Sequence, residues 1–299
     1  MRTLPADHTA AYAGIIERIV AWIADEPRVR AAMIVGSRAR TDHPADAWSD
    51  LDVVLFATDP DALLAEHDWI HRIGAPVITF LERTAVGAWQ ERRALFAGAL
   101  DVDVSIVPAA FLAAASENPA VLDEIRGVLA RGVRVLADKD GALGRVLAAV
   151  TGQPAPVPPP PDQARLDQVV SDFWYHAVWI AKKLRRGELA VAHECLDGHQ
   201  RRMLLSLVRW HAEKNGPIWH GTRYLEEWVD PATRDALAAT WARHDAADVA
   251  RATRAMMDLF SRLAAGVAAH HGLTVPPGAE PAARAWWDAI TRDSRQHTR

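Results

Sequence analysis

The sequence predicts an α+β chain of two domains, a first half built on a β-sheet flanked by helices and a second half that is an all-α bundle. Three observations carry this. Short apolar β-like runs alternate with helical patterns only in the first half, and apolar residues of the second half recur almost throughout at helical spacing. Between the halves, Thr151-Gly152-Gln153-Pro154-Ala155-Pro156-Val157-Pro158-Pro159-Pro160-Pro161 cannot sustain a helix and should run extended. The expected division is a catalytic domain over residues 1–150, a Pro-rich linker over 151–162 and a helical substrate- and nucleotide-binding domain over 163–299.

Within the first half, residues 9–24 place Ile15, Ile16, Ile19, Val20 and Ile23 on one helical face. Residues 31–35, 51–57, 77–81 and 102–107 read as strands. Residues 63–73 and 118–132 read as helices. In the second half, Leu166, Val169, Val170, Phe173, Ala177, Ile180 and Leu184 follow the i, i+3, i+4 pattern of an amphipathic helix ending near Gly187. A long helix over 188–214, shorter ones over 224–229 and 231–243, and a long one over 246–271 follow. The charged tail from Glu280 onward is either helical or frayed.

With 299 residues, half of them hydrophobic, the chain can build two cores. Its formal net charge of -4 disfavours a long polyanionic partner such as nucleic acid and suits a small cationic one. Cys195 is the only cysteine, which excludes an internal disulfide; its apolar neighbourhood suggests a packed thiol. The first residues lack the apolar core of a signal peptide, and no run approaches the length of a membrane span. The expectation is a cytoplasmic protein without membrane contact, a monomer by preference.

The chemistry concentrates in Ile34-Val35-Gly36-Ser37-Arg38-Ala39-Arg40 and Trp48-Ser49-Asp50-Leu51-Asp52-Val53-Val54-Leu55-Phe56. A strand ending in Gly-Ser lets an anion approach the backbone, where amides and the Ser hydroxyl can donate to phosphate oxygens. At the start of the next strand, alternation turns Asp50 and Asp52 to one face while Leu51 enters the core. Two carboxylates so placed can share magnesium, a hard cation that keeps positions for water and substrate phosphates. A third carboxylate is expected from Asp101-Val102-Asp103-Val104-Ser105-Ile106-Val107. Asp103 is favoured because it lies inside the apolar run, where an unpaired carboxylate is costly; Asp101 shares its face and is the alternative.

These segments resemble the polymerase-beta nucleotidyltransferase superfamily and, within it, the aminoglycoside 6-adenylyltransferases, the streptomycin-modifying enzymes. Asp103-Val104-Ser105-Ile106-Val107-Pro108 is similar to that family's third-carboxylate strand. Asp172-Phe173-Trp174-Tyr175 leading to Ala181-Lys182-Lys183-Leu184-Arg185-Arg186-Gly187-Glu188 resembles its aromatic helix with a terminal Lys, and Arg202-Met203-Leu204-Leu205 and Trp210-His211 extend the likeness. The loop Thr41-Asp42-His43-Pro44-Ala45-Asp46-Ala47 departs from the family pattern.

The resemblance implies a mixed sheet in the catalytic domain, a helical second domain, and magnesium-dependent transfer of AMP from ATP to a hydroxyl of a streptomycin-like aminoglycoside, releasing pyrophosphate. Carried over residue by residue, it implies nucleotide binding by Gly36, Ser37, Arg38 and Ser49, and metal binding by Asp50, Asp52 and Asp103. A phosphate would meet Lys182, or alternatively Lys183. The general base would be Glu82, which follows the third strand, or Asp101. Nucleotidyl transfer to a different small molecule or to a protein stays open, as does a non-catalytic nucleotide-binding or antitoxin-like role. Most of the tryptophans, Trp174, Trp179, Trp210, Trp219 and Trp228 among them, are expected in the core. His193, His199, His211 and His220 lack the sequence spacing of a zinc site and are expected to cap or hydrogen-bond.

Overall fold

The structure, a computed structural model, describes residues 8–85, 89–153, 159–216, 218–219 and 221–292. The middle of the predicted linker, residues 154–158, and His220 lie outside the described residues. The chain divides into two compact units, Met1–Val157 and Pro158–Arg299.

The first unit runs α1 (His8–Asp25), β1 (Val29–Val35), β2 (Leu51–Ala57), α2 (Pro60–Ala65), α3 (Asp68–Ile73), β3 (Pro76–Arg83), β4 (Gln90–Phe96), β5 (Leu100–Pro108), α4 (Ala110–Glu117), α5 (Pro119–Leu129), β6 (Arg134–Asp138) and α6 (Ala142–Val150). The strands form one six-stranded sheet in the order β3-β4-β5-β2-β1-β6. β2 and β5 run parallel and every other pairing is antiparallel, so the sheet is mixed, as the sequence resemblance predicts.

Strand alternation divides the apolar residues between two cores. Ala32, Ile34, Leu51, Val53, Leu55, Val102, Val104 and Ile106 pack with Ile15, Ile19 and Ile23 of α1 and with Ile70 and Ile73 of α3. On the opposite face, Ala31, Met33, Phe56 and Val107 pack with Leu112 of α4, Leu129 of α5 and Leu143 and Val146 of α6.

Two strands escape the apolar patterning of the sequence. β4 reads Gln-Glu-Arg-Arg-Ala-Leu-Phe, and its inward Arg92, only 1% exposed, replaces the expected aliphatic residue and donates to the Leu64 carbonyl. β6 is a short edge strand held by β1 alone. The single helix expected over 63–73 is two, because Glu66 turns extended (φ -75°, ψ 138°) while its carboxylate pairs with Arg28, and Trp69 donates its ring N–H to the Leu63 carbonyl at 2.9 Å. α2 begins earlier than its apolar pattern, at Pro60, with the Asp59 side chain accepting from the Ala62 amide at 3.0 Å.

The second unit is helical: α7 (Gln163–Arg185), α8 (Leu189–Glu194), a π-helical turn (Cys195–Gln200), α9 (Arg201–Ala212), α10 (Leu225–Trp228), α11 (Pro231–Ala238), α12 (Ala246–His271) and α13 (Ala279–Arg292). The long helix expected over 188–214 is thus interrupted by a π turn. Its core is aromatic: Phe173 of α7 stacks on Phe260 of α12 with ring centroids 3.6 Å apart, Trp174 packs edge-on against both, and Trp287 of α13 is fully buried. Among the described residues, no helix is long and apolar enough to cross a membrane.

Phe260 is fully buried and stacked face to face. Phe260→Ala is expected to cost about 3–5 kcal/mol, because the lost transfer energy adds to the cavity left behind. Urea unfolding followed by tryptophan fluorescence checks this as a lower transition midpoint.

Candidate active site

The candidate site grows from the place where β1 ends and β2 and β5 begin. Val35 pairs with Asp52 across β1 and β2, and Asp52 pairs with Asp103 across the parallel β2 and β5. Their alternation turns both carboxylates to the face that also carries Val54, Ser105 and Val107. Asp50, just before β2, completes the group: one ligand oxygen from each of Asp50, Asp52 and Asp103 lies within 4.8 Å of the others. Asp101 shares the face but falls outside this group; it sits two residues back along β5, about 6.6 Å of strand.

After β1 the chain makes a single 3₁₀ turn, Gly36–Arg38. Gly36 has φ +70°, and a Cβ there would meet Asp52 Oδ2 at 2.1 Å. Both the backbone conformation and the carboxylate leaning on it therefore require glycine. The Ser37 hydroxyl is buried and, among the described residues, has no hydrogen-bond partner. A buried hydroxyl left unpaired is costly, and an anion seated on the turn would satisfy it.

Arg38 and Ser49 act on the loop in between. Arg38 donates through Nε to the Asp50 carbonyl at 2.9 Å and through Nη2 to the Ser49 carbonyl at 2.6 Å, with its guanidinium 3.5 Å above the Tyr12 ring. The Tyr12 hydroxyl accepts from the Asp101 amide at 3.1 Å, so one tyrosine of α1 braces the approaches to both carboxylate strands. The Ser49 hydroxyl donates to Asp46 at 2.8 Å, inside a turn that Asp46 also closes by accepting from the Trp48 amide. In this structure Arg38 and Ser49 order the loop carrying Asp50.

Electrostatics on this face is dominated by acids. Burial pushes the Asp103 carboxyl up to about 6; Arg93 opposes the shift, while Glu91, Asp50 and Asp101 add to it. Arg93 of β4 stands opposite Asp103, its Nη2 3.3 Å from Oδ2, and its Nε meets Glu82 at 2.8 Å and Glu91 at 3.0 Å. One guanidinium thus serves three carboxylates. Glu82 of β3 is half exposed, whereas Glu91 is 9% exposed and accepts from the Ser105 hydroxyl at 3.2 Å.

Beside these acids lies a cavity of about 240 Å³ whose polar wall is Asp52, Thr84, Glu91 and Ser105 and whose apolar wall includes Val54, Trp89 and Phe111. Glu91 and Arg93 were not singled out from sequence. Their signal was the alternation of Glu91 and Arg93 against Arg92, Ala94 and Phe96, disguised by a charged residue on the buried face.

In the second unit, Lys183 donates to Glu188 at 2.6 Å and lies 4.9 Å from the Trp179 ring centre. Lys182 is exposed and lines a groove with Tyr175, Trp179 and Trp286.

A family model described as streptomycin adenylyltransferase matches residues 11–288. An aminoglycoside 6-adenylyltransferase of Campylobacter jejuni is 23% identical over 197 residues, covering 62% of this chain and 62% of that protein. One from Bacillus subtilis (strain 168) is 24% identical over 193 residues, covering 62% and 64%. The chain thus spans under two thirds of the length of these relatives. Among solved structures, an aminoglycoside 6-adenyltransferase from Bacillus subtilis aligns with a TM-score of 0.44 at 16% identity, covering 93% of this chain and 97% of that one. A nucleotidyltransferase-like protein from Exiguobacterium sibiricum aligns with a TM-score of 0.35 at 11% identity, covering 86% and 77%.

The raised Asp103 carboxyl has a consequence for the metal-free protein. A carboxyl whose folded value lies above its unfolded value of 3.8 costs stability once ionised, and that cost disappears as pH falls from about 6 toward 3.8. Asp103→Asn is therefore expected to stabilise the metal-free chain near pH 7.5, by about 1–3 kcal/mol at most, with the gain fading by pH 5. Thermal unfolding of both proteins in chelator across that range checks it.

Proposed function

The chain belongs to the streptomycin adenylyltransferase family, and from that premise we propose that it transfers AMP from ATP to a hydroxyl of an aminoglycoside of the streptomycin kind, releasing pyrophosphate. The observation that carries the reading is the convergence of Asp50, Asp52 and Asp103 beside a glycine turn with an orphaned buried hydroxyl. Three carboxylates crowded at the rim of an apolar sheet are costly unless a cation shares them. An all-oxygen donor set suits magnesium.

In this proposal Asp50, Asp52 and Asp103 hold the metal, and the Gly36-Ser37 turn receives the triphosphate through its amides and the Ser37 hydroxyl. Bound magnesium would supply charge neutralisation at the transferred phosphate and the leaving pyrophosphate. Lys182 is the lysine proposed for a nucleotide phosphate, since Lys183 is held by Glu188. Glu82 is proposed to take the proton from the acceptor hydroxyl: it is half exposed on the strand beside β4 and lies 2.8 Å from Arg93, which also meets Asp103. The excess of acid over base on this face also suits a cationic acceptor.

Incubation with ATP, magnesium and streptomycin is expected to release pyrophosphate and add one AMP to the drug, read by mass spectrometry. Failure with every aminoglycoside, alongside pyrophosphate release with another acceptor, would overturn the substrate but keep the reaction. Asp52→Asn should lower turnover about 10³-fold or more, since several kcal/mol of transition-state stabilisation depend on the metal, without altering the circular dichroism.

Glu82→Gln should lower kcat about 10²-fold and leave ATP affinity unchanged. Full activity in Glu82→Gln with loss in Glu91→Gln would move the base to Glu91.

A further inference from the structure

We propose that Asp172, His176 and His199 form a binding site for one divalent late first-row transition-metal ion, zinc foremost, which clips the π-helical turn to α7. The site lies wholly in the second unit and is independent of the proposed reaction.

The three residues come together although Asp172 and His199 stand 27 positions apart. Asp172 and His176 are one helical turn apart on α7, the i, i+4 spacing at which two side chains can share one ion. His199 arrives from the Cys195–Gln200 turn. A π turn inserts residues that an α-helix would not accommodate, and such turns recur at functional sites. Here it swings His199 toward α7, so that its ring lies 4.1 Å from that of His176.

The donor atoms converge. His176 Nδ1 lies 2.6 Å and His199 Nε2 2.9 Å from Asp172 Oδ1, and one ligand atom of each residue falls within 4.8 Å of the others. In a tetrahedral zinc site with bonds near 2.0 Å, ligand atoms stand about 3.3 Å apart. The two short contacts must therefore open, by about 0.7 and about 0.4 Å, to admit an ion. Side-chain exposures of 28%, 26% and 37% for Asp172, His176 and His199 leave room for that and for a water as fourth ligand.

The donor set separates this site from the three aspartates. Two imidazoles and one carboxylate favour a borderline ion such as zinc, whereas an all-carboxylate set favours magnesium. Cys195, at the head of the same turn, is buried and is not among the converging donors.

Calorimetric titration of the full chain with zinc chloride in excess magnesium tests the site. One zinc ion is expected in the wild type and in Asp52→Asn, with affinity lower by about tenfold or more in His176→Gln and in His199→Gln singly, and in the pair. Zinc should raise the thermal midpoint of the wild type but not of the double variant. Cobalt(II) should give visible absorption bands that the double variant lacks and Asp52→Asn keeps. Zinc uptake unchanged in both single variants, or no uptake by the wild type, would overturn the proposal and leave a hydrogen-bonded Asp-His-His cluster.

Discussion

The first unit depends on one pairing, the parallel register that sets Asp52 of β2 beside Asp103 of β5. Electrostatics alone would not choose it, since it brings like charges together where burial weakens their solvation. The opposite face of the same strands decides. Leu51, Val53, Leu55, Val102, Val104 and Ile106 are at most 2% exposed, and burying each such side chain is worth about 1.5–3 kcal/mol. A slip of one residue would turn the three apolar residues of the shifted strand toward the other face and its aspartate into the core. The apolar pattern thus holds the carboxylates together against their repulsion.

Among the described residues, Arg93 offsets part of that repulsion. Arg93 is shared among Asp103, Glu91 and Glu82, so the face remains acidic after its internal pairs are formed. The remaining anchors work through backbone. Gly36 lets Asp52 lie against the chain, and Tyr12 links the Arg38 clamp on the Asp50 loop to the Asp101 amide. These backbone contacts fix where the Asp50 loop and the two carboxylate strands lie relative to one another.

Much of this was legible in the sequence because it rests on period and local chemistry. The strands at Leu51 and Val102 announce themselves by alternation, and the Gly36-Ser37 turn by residue type. β4 did not, because Arg92 sits where an aliphatic residue would have completed the pattern; its guanidinium is satisfied by the Leu64 carbonyl, a tertiary contact with no local trace. Glu91 and Arg93 were lost with it. The split after Glu66 depends on Arg28 far upstream, and the π turn depends on packing around α7; neither is encoded in a short window.

The same contrast sets what each position tolerates. Positions such as Val53 or Ile106 need only apolar volume, and volume-conserving swaps there cost less than about 1.5 kcal/mol. Gly36 has no such freedom, because a Cβ would sit 2.1 Å from the Asp52 carboxylate in a backbone conformation that side chains rarely adopt. Asp52 in turn cannot lengthen to Glu without moving its oxygens off that glycine. The tolerance of the core and the intolerance of the turn follow from one geometry.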